Sequence, residues 1–237
     1  MKFYNPFRFL SRFEWGLLSL SLAVVTASFF LGGGENALSL IASLIGVVAL
    51  IFVAKGDVSG QVLCIIFSVF YAIVSWEQRY YGEMITYLCM SAPASLASVI
   101  SWLKHPYAED RCEVRMVRLG AGAWILTAGL TALVTLVFYW ILRLLGTAAL
   151  PTSTLSVATS FLASFLLWRR SPFYALGYAA NDVVLIVLWC IAAVGDPSAW
   201  AMVVCFAMFL CNDLYGFYNW LRVRRRQSRG ARTTAED

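Results

Sequence analysis

The chain has 237 residues, of which 61% are apolar and only 13% are charged, and its formal net charge is +5. Soluble domains are about half apolar and about a quarter charged, so this composition excludes a water-soluble globule. Eight spans of about 20 residues would occupy about 160 positions. The remainder suffices for two tails and short loops but not for a separate soluble domain. The sequence therefore predicts one polytopic membrane protein.

Eight apolar runs follow one another along the chain and predict eight transmembrane helices, which makes the fold all-α. Before the first run, bulky aromatic residues alternate with basic ones and no small-residue cleavage site follows. This pattern favours an interfacial segment over a removable signal peptide. The apolar runs cover 15–31, 37–54, 58–76, 82–103, 119–142, 153–168, 173–194 and 199–221.

The basic residues predict the orientation of these helices. If the N-terminus is cytoplasmic and all eight runs span, every one of the 18 Lys and Arg residues except Arg79 and Arg143 falls on the cytoplasmic side. Cytoplasmic loops of membrane proteins carry such an excess of basic residues. We therefore expect a multi-pass protein with both termini in the cytoplasm.

A weak internal repeat relates the two halves of the chain. Helix four ends in Ser101-Trp102-Leu103-Lys104 and helix eight in Asn219-Trp220-Leu221-Arg222. Matching these helices also matches two with six and three with seven, all in parallel, which is a known transporter plan. Helix five becomes a linker and helix one an extra, giving a 1 + (3 + 1 + 3) architecture. The predicted units are a segment with the extra helix (1–31), a three-helix bundle (32–104), a loop with the linker helix (105–145), a second three-helix bundle (146–222) and a basic tail (223–237).

Two carboxylates lie deep inside predicted spans, Asp182 in helix seven and Asp213 in helix eight. Each follows an asparagine, and each Asn-Asp pair is followed after six intervening residues by a tryptophan. Both pairs lie ten residues from the cytoplasmic end of their helix, which is about 15 Å into the membrane. Ionisable groups at this depth mark substrate pathways, so the two pairs predict a site at the midplane.

Helical spacing groups further polar and aromatic side chains with the Asn-Asp pairs. Helix three contributes a line of Ser68, Tyr71 and Ser75, and Pro93 is expected to loosen helix four near the site. The alternative is that these groups only hold helices together, which serine and asparagine commonly do but which is expensive for a carboxylate. The predicted substrate-binding residues are Tyr87, Ser91, Tyr178, Asn181, Asp182, Trp189, Asn212, Asp213, Tyr215 and Asn219.

The residue types at this centre select a class of ligand. Phosphate sites use Arg, Lys or a helix N-terminus, and no basic side chain lies at the depth of the Asn-Asp pairs. A phosphorylated or anionic cargo is therefore disfavoured. A neutral or cationic small molecule with hydroxyl groups and a flat ring fits, because aromatic rings attract cations.

Other kinds of site are not predicted. The chain has no HExxH, GxSxG or Walker sequence, its one histidine lies in a basic loop, and its six cysteines form no CxxC pair. We therefore expect no catalytic residues, no metal, no cofactor and no nucleic-acid partner. Eight of the nine tryptophans, all but Trp189, lie near span ends, which is typical of an interfacial aromatic belt.

Two stretches of the sequence resemble the PnuC family of bacterial nicotinamide riboside transporters. One is Tyr80-Tyr81-Gly82-Glu83-Met84-Ile85, followed by Pro93 and Trp102-Leu103-Lys104. The other is Asn212-Asp213-Leu214-Tyr215-Gly216-Phe217-Tyr218-Asn219-Trp220. The resemblance covers about residues 35 to 226.

The resemblance implies a SWEET-like fold with an added N-terminal helix, a homotrimer in the bacterial inner membrane, and facilitated diffusion of nicotinamide riboside into the cytoplasm, where a kinase traps it. The hypothesis is alternating access about the midplane site. Trp189 and nearby tyrosines would stack on the pyridinium, and Asn181, Asn212 and Asn219 would bond the ribose or the carboxamide. Asp182 and Asp213 would supply negative potential or orient the amides.

Three alternatives remain open at this point. The first is a proton-coupled carrier of another cationic or neutral vitamin or nucleoside, with Asp182 or Asp213 as the proton site. The second is a membrane scaffold in which the polar pairs serve packing alone. The third is an intramembrane enzyme, which is the weakest because the sequence offers no pair of nucleophile and base.

Overall fold

Eight membrane-length helices make up the computed structural model, which describes residues 5–31, 36–108, 111–147 and 149–236. Residues 1–4 of the predicted interfacial segment, residues 32–35 of the first predicted bundle and the last residue of the tail lie outside the described residues. All eight helices are long and apolar enough to cross a membrane, which confirms the all-α membrane fold. They are α1 (Arg12–Leu31), α2 (Ala37–Ala54), α3 (Val58–Glu77), α4 (Tyr81–Lys104), α5 (Ala121–Leu144), α6 (Leu150–Trp168), α7 (Tyr174–Ala193) and α8 (Trp200–Glu236).

The α4 helix changes its geometry in the middle. Residues Tyr87–Ser91 form a π-helical turn immediately before Pro93. Proline has no backbone N–H and its ring clashes with the carbonyl four residues earlier, so the regular hydrogen-bond ladder cannot run through this point. The loosening of α4 at Pro93 is therefore present as the sequence predicts, and it lies where Tyr87 and Ser91 face the interior.

Six of the helices form a closed ring. Along the ring, α2 packs on α3, α3 on α4, α4 on α6, α6 on α7, α7 on α8, and α8 returns to α2. The α1 helix lies outside the ring against α2 and α8, and α5 lies outside against α6. The helices α2–α4 form one half of the ring and the helices α6–α8 form the other. The halves meet where α4 packs on α6 and where α2 packs on α8, and we call these two contacts the seams. A parallel repeat of three helices would produce this neighbour pattern, although the repeat itself stays a prediction.

A loop ties both halves together at the end of the ring that holds Lys55, Lys104 and Arg170, which we call the basic end. The segment 105–120 contains a two-stranded antiparallel hairpin, β1 (Pro106–Ala108) and β2 (Arg111–Val114). The Val114 N–H donates to the Gly56 carbonyl at the end of α2, and the Val117 N–H donates to the Arg170 carbonyl after α6, both at 3.1 Å. The hairpin thus bridges the two halves of the ring.

The C-terminal part of α8 holds this hairpin in place. The Glu113 carboxylate forms an ion pair with Arg226 and accepts a hydrogen bond from the Gln227 amide. The Gln227 side chain also bonds the backbone of Val114 and Met116. The predicted basic tail therefore begins as a continuation of the transmembrane helix that packs on the loop.

Three of the nine tryptophans are buried, which corrects the expectation of an aromatic belt at two of them. Trp102 and Trp220 are 1% and 0% exposed. The Trp220 indole N–H donates to the Val53 carbonyl on α2 at 2.9 Å, and the Trp102 indole nitrogen lies 3.5 Å from the Leu167 carbonyl on α6. Each tryptophan therefore crosses one seam and binds the end of a helix from the other half. Sequence position near a span end could not distinguish this role from a place in the belt.

A first prediction concerns the close packing of α6 on α7. A Cβ added at Gly177 would lie 2.9 Å from the Ala163 backbone, so Gly177→Ala should force the helices apart and destabilise the protein by about 1–3 kcal/mol. The matched control is Gly129→Ala on α5, where nothing lies within 4 Å of the added carbon. Thermal unfolding of both variants checks this, and equal midpoints would contradict the close approach.

Candidate functional site

A cavity lies at the centre of the six-helix ring and collects most of the polar residues predicted for the site. Its volume is about 60 Å³, enough for a few water molecules but far below the roughly 300–1,000 Å³ of typical small-molecule pockets. Side chains at the cavity that were not in the predicted set include Cys64, Phe67, Ser68, Ser95 and Phe209. Six of the ten predicted residues line it: Tyr87, Ser91, Tyr178, Asn181, Asp182 and Asp213.

Two buried carboxyl groups make one wall of the cavity. Asp182 and Asp213 are 4% and 3% exposed, and both line the cavity from the adjacent helices α7 and α8. Asp182 Oδ2 has no hydrogen-bond partner among the described residues. Among the described residues, no Lys or Arg lines the cavity. The centre is therefore acidic without a protein cation to neutralise it.

The amide of Asn181 is oriented by three hydroxyl groups of α6. Its Oδ1 lies 2.8 Å from the Thr159 hydroxyl, 3.0 Å from that of Ser160 and 3.2 Å from that of Ser156. A carbonyl oxygen has two lone pairs, so α6 saturates this acceptor. Asn181 itself lines the cavity, and these three contacts occupy its carbonyl oxygen but not its Nδ2 group.

Two of these hydroxyl groups, those of Ser156 and Ser160, belong to a stripe of serines along α6 that the sequence analysis did not single out. Ser153, Ser156, Ser160 and Ser164 recur every three or four residues and therefore share one helical face, and all four are buried. Ser164 shares a hydrogen bond of 3.0 Å with the Tyr178 hydroxyl, which fixes that ring at the cavity wall. The spacing of these serines is a signal that sequence analysis could have used.

Trp189 does not line the cavity and instead closes it at the end opposite the basic end. Its indole N–H donates to the Tyr71 hydroxyl at 2.9 Å, which joins α7 to α3. The Tyr80 hydroxyl donates to the Leu188 carbonyl at 3.1 Å. Further out, the Gln78 amide donates to the Asp196 carboxylate at 2.8 Å. Hydrogen bonds from Ser198 and Gln78 hold the pKa of Asp196 below its usual range, so the carboxylate stays ionised at neutral pH.

The basic end is closed by aromatic packing. The Trp102 and Trp220 rings lie 5.6 Å apart between centroids, and Tyr174 packs edge-on against Trp220 at 4.6 Å. The hairpin of residues 106–114 lies over the helix ends that these rings join. Contacts between the two halves of the ring therefore close the cavity at both ends.

Three predicted residues of α8 do not line the cavity. The Asn212 amide donates to the Ser21 hydroxyl on α1 at 3.2 Å, and the Tyr215 hydroxyl donates to the Glu14 carboxylate at 2.7 Å. The Asn219 amide donates to the Ala54 carbonyl at the end of α2 at 2.8 Å. Consecutive helical residues point about 100° apart, and because α1 covers one face of α8, only Asp213 of the Asn212–Asp213 pair faces the cavity.

Two buried glutamates were not predicted as site residues. Glu14, near the start of α1, is held by an ion pair of 3.1 Å with Lys55 and by the Tyr215 hydroxyl. Glu83, in the first turn of α4, is fully buried, and its Oε2 lies 3.2 Å from the Ser156 hydroxyl. Both lie near the ends of apolar runs, where sequence analysis expects charged residues to reach water.

Comparisons with known proteins give a consistent result. A family model described as nicotinamide mononucleotide transporter matches residues 36–222. The nicotinamide riboside transporter PnuC of Neisseria mucosa is 28% identical over 220 residues, which are 90% of this chain and 82% of that protein. Its namesake in Haemophilus influenzae is 25% identical over 193 residues, 81% of this chain and 82% of that protein. A crystal structure of the vitamin B3 transporter PnuC is similar with a TM-score of 0.81 at 26% identity, covering 92% of this chain and 94% of that one.

A second prediction concerns the tryptophan that crosses the α2–α8 seam. Trp220→Phe keeps an aromatic ring but removes the hydrogen bond to the Val53 carbonyl. The free energy of unfolding should therefore fall by about 1 kcal/mol. Trp200→Phe is the control because Trp200 is an exposed ring at the other end of the same helix. Thermal unfolding in detergent measures both, and no difference between them would contradict a stabilising role for the indole N–H.

Proposed function

The chain belongs to the nicotinamide mononucleotide transporter family, the family of the PnuC transporters, and on this premise we propose that it carries nicotinamide riboside across a membrane by facilitated diffusion. The family is one of transporters, not enzymes. The proposed location is the inner membrane of a bacterium, with the basic end in the cytoplasm. A homotrimer is part of the proposal, as the resemblance implies.

The acidic centre is the observation that carries the choice of cargo. The family name refers to the mononucleotide and the relatives are named for the riboside, which lacks the phosphate. The cavity has the Asp182–Asp213 pair and no Lys or Arg among its described residues, whereas phosphate sites use basic groups. A pyridinium cation compensates the charge of the carboxyl pair, and a phosphate adds to it. The centre therefore favours the riboside.

The cavity-lining residues suit the chemical groups of this cargo. Tyr87 and Tyr178 offer aromatic faces to a cationic ring, and the Asn181 Nδ2 donates to a carboxamide or ribose oxygen. Asp182 and Asp213 attract the cation and accept from ribose hydroxyl groups. Ser91, on the π-helical turn of α4, adds a further polar contact.

The four predicted residues outside the cavity take indirect roles in this proposal. Trp189 closes the outer end and reaches the ring of the cargo only when the cavity widens. Asn212 and Tyr215 hold α1 on α8, and Asn219 holds α8 on α2. Their replacement would act through helix packing and not through direct contact with the cargo.

Alternating access is the proposed mechanism. A cavity of about 60 Å³ has to widen before it holds a ribonucleoside, and the contacts that close it at either end join the two halves of the ring. Rocking of the bundles 32–104 and 146–222 against each other, as in a SWEET-like parallel repeat, would open one end while the other stays closed. The Trp189–Tyr71 hydrogen bond would break when the outer side opens. The contacts of Trp102 and Trp220 across the seams would break when the inner side opens.

A proton-coupled carrier of another cationic or neutral vitamin or nucleoside is the second candidate. The observation that favours it is the burial of two carboxyl groups, Asp182 and Asp213, at one cavity, because two neighbouring buried carboxylates repel each other and a proton on one of them relieves that repulsion. If that proton left in one orientation of the carrier and returned in the other, transport would depend on the proton gradient.

The third prediction tests the cargo. Calorimetry on the purified protein should detect nicotinamide riboside binding and at least tenfold weaker binding of its 5′-phosphate, a difference of about 1.4 kcal/mol. Asp213→Asn should reduce the preference for the riboside over its 5′-phosphate, because it removes an ionisable group from the cavity wall. Asp196→Asn, which alters a carboxylate outside the cavity, should leave the preference unchanged. Equal binding of both compounds by the unchanged protein would contradict the proposed cargo.

The fourth prediction separates facilitated diffusion from proton coupling. In proteoliposomes, uptake of labelled riboside should follow the riboside gradient alone and stop when the gradient is dissipated. A protonophore or an imposed pH gradient should leave the initial rate unchanged. Uptake that collapses with the protonophore would overturn facilitated diffusion in favour of the coupled carrier.

A further inference from the structure

Glu83 is a buried carboxyl group that the proposed transport cycle does not use. It is fully buried on α4, and its Oε1 has no hydrogen-bond partner among the described residues. Its Oε2 lies 3.2 Å from the Ser156 hydroxyl on α6. Glu83 precedes the cavity-lining Tyr87 by four residues, so it lies one helical turn from the cavity. A carboxyl group in this setting is costly to bury, and helix packing alone would need only a hydroxyl.

Ser156 links Glu83 to the cavity. The same hydroxyl oxygen lies 3.2 Å from Glu83 Oε2 and 3.2 Å from Asn181 Oδ1, and Ser156 is itself buried. A hydroxyl has one hydrogen to donate and can also accept. An ionised Glu83 would take that hydrogen and leave the Ser156 oxygen facing the Asn181 Oδ1 with no hydrogen between them. A protonated Glu83 donates to Ser156, which then donates to Asn181, and only this order of donors joins all three side chains.

We propose that Glu83 is a positioning residue which, through Ser156, fixes the Asn181 amide in the orientation that presents Nδ2 to the cargo. This inference rests on the proposed function, because the amide matters only if a ligand occupies the cavity. Thr159 and Ser160 also hold Asn181, but they lie on the same helix as Ser156 and in the same half of the ring. Glu83 is the member of this chain of contacts that comes from the other half.

The link crosses a seam, which connects ligand binding to closure. Glu83 belongs to α4 and Ser156 to α6, so their bond exists only while the α4–α6 seam is closed at this level. The bond between Ser156 and Asn181 lies within α6–α8 and persists when the seam opens. Asn181 is therefore fully oriented only in the closed arrangement, where the cargo is enclosed.

A double-mutant cycle tests this chain, because a residue that acts through Asn181 has no effect once Asn181 is gone. Riboside binding is measured by calorimetry for Glu83→Ala, Asn181→Ala and the double variant. Each single change should weaken binding about tenfold, the effect of about 1.4 kcal/mol. The double variant should bind no more than twofold more weakly than Asn181→Ala alone. The proposal would be overturned if the two losses of affinity multiplied in the double variant. It would also be overturned if Glu83→Ala bound the riboside as tightly as the unchanged protein.

Two further variants keep the test independent of folding. Glu83→Gln keeps a group that can donate to Ser156, its side-chain N–H, so it should bind within about threefold of the unchanged protein. Ser156→Ala should reproduce the loss in Glu83→Ala, and combining the two should add nothing. A loss in Glu83→Gln as large as in Glu83→Ala would contradict a donor role for Glu83.

Glu14→Ala supplies the matched control. Glu14 is also a buried carboxylate, but it binds Lys55 and Tyr215, and neither of these contacts leads to Asn181. Its effect on riboside binding, if any, should multiply with that of Asn181→Ala. A non-multiplying result for Glu14 as well would mean that the cycle reports general destabilisation, which would overturn the specific role of Glu83.

The cycle also distinguishes failure of this inference from failure of the proposed function. If the unchanged protein binds no riboside, the proposed function fails. The midpoints of thermal unfolding without ligand then still measure the coupling of positions 83 and 181. The chain of contacts is supported if the shifts in midpoint caused by Glu83→Ala and Asn181→Ala are non-additive when Ser156 is present and additive when Ser156 is replaced by alanine. Additive shifts in the presence of Ser156 overturn it.

Discussion

The burial of the Asp182 and Asp213 carboxyl groups at one cavity is the constraint around which the centre of this protein is organised. In the interior of a membrane protein no bulk water is present to solvate two carboxyl groups, and no basic side chain among the described residues lines the cavity. The charge has to be met by a proton, by hydrogen-bond donors or by a cation that enters. The serine hydroxyl groups of α6 bond Glu83, Asn181 and Tyr178, and Asp182 Oδ2 is left without a hydrogen-bond partner among the described residues. Acidic groups whose negative charge is not compensated destabilise a rigidly packed interior, but they suit a site that binds a cationic cargo.

The two halves of the ring, which meet at the two seams, enclose this centre between them. The halves meet at the α4–α6 and α2–α8 seams through apolar packing, and directed hydrogen bonds cross between them as well. Trp220 binds the end of α2 and Trp102 reaches the end of α6, so the two tryptophans make corresponding contacts in opposite directions. At the other end, Trp189 and Tyr71 join the halves by one hydrogen bond. Single hydrogen bonds contribute about 1 kcal/mol each, which makes such closures reversible on the scale of ligand binding.

The α1 helix shows how a segment outside the matched family region contributes to the same architecture. The family model begins at residue 36, yet Glu14 binds Lys55 from the first half and Tyr215 from the second. Ser21 binds Asn212. These polar contacts anchor α1 across the α2–α8 seam, where an apolar helix alone would have no preferred rotation. They also explain why Asn212 and Tyr215, which lie three residues apart and therefore share a helical face, turn that face to α1.

The number of helices and most of their boundaries follow from the sequence, because membrane thickness acts on each apolar segment separately. The end of α8 does not, because the helix continues to Glu236 whereas its apolar run ends at residue 221. The same local rules locate the π-helical turn at Pro93. Which side chains share the cavity depends on the rotation of each helix, and that is set by its neighbours. Asn181 and Asp182 both reach the cavity because α7 lies between α6 and α8, but only Asp213 does so on α8 because α1 covers the adjoining face. Glu83 and Trp102 occupy positions near helix ends that would meet water in an isolated helix, and only tertiary packing removes them from it.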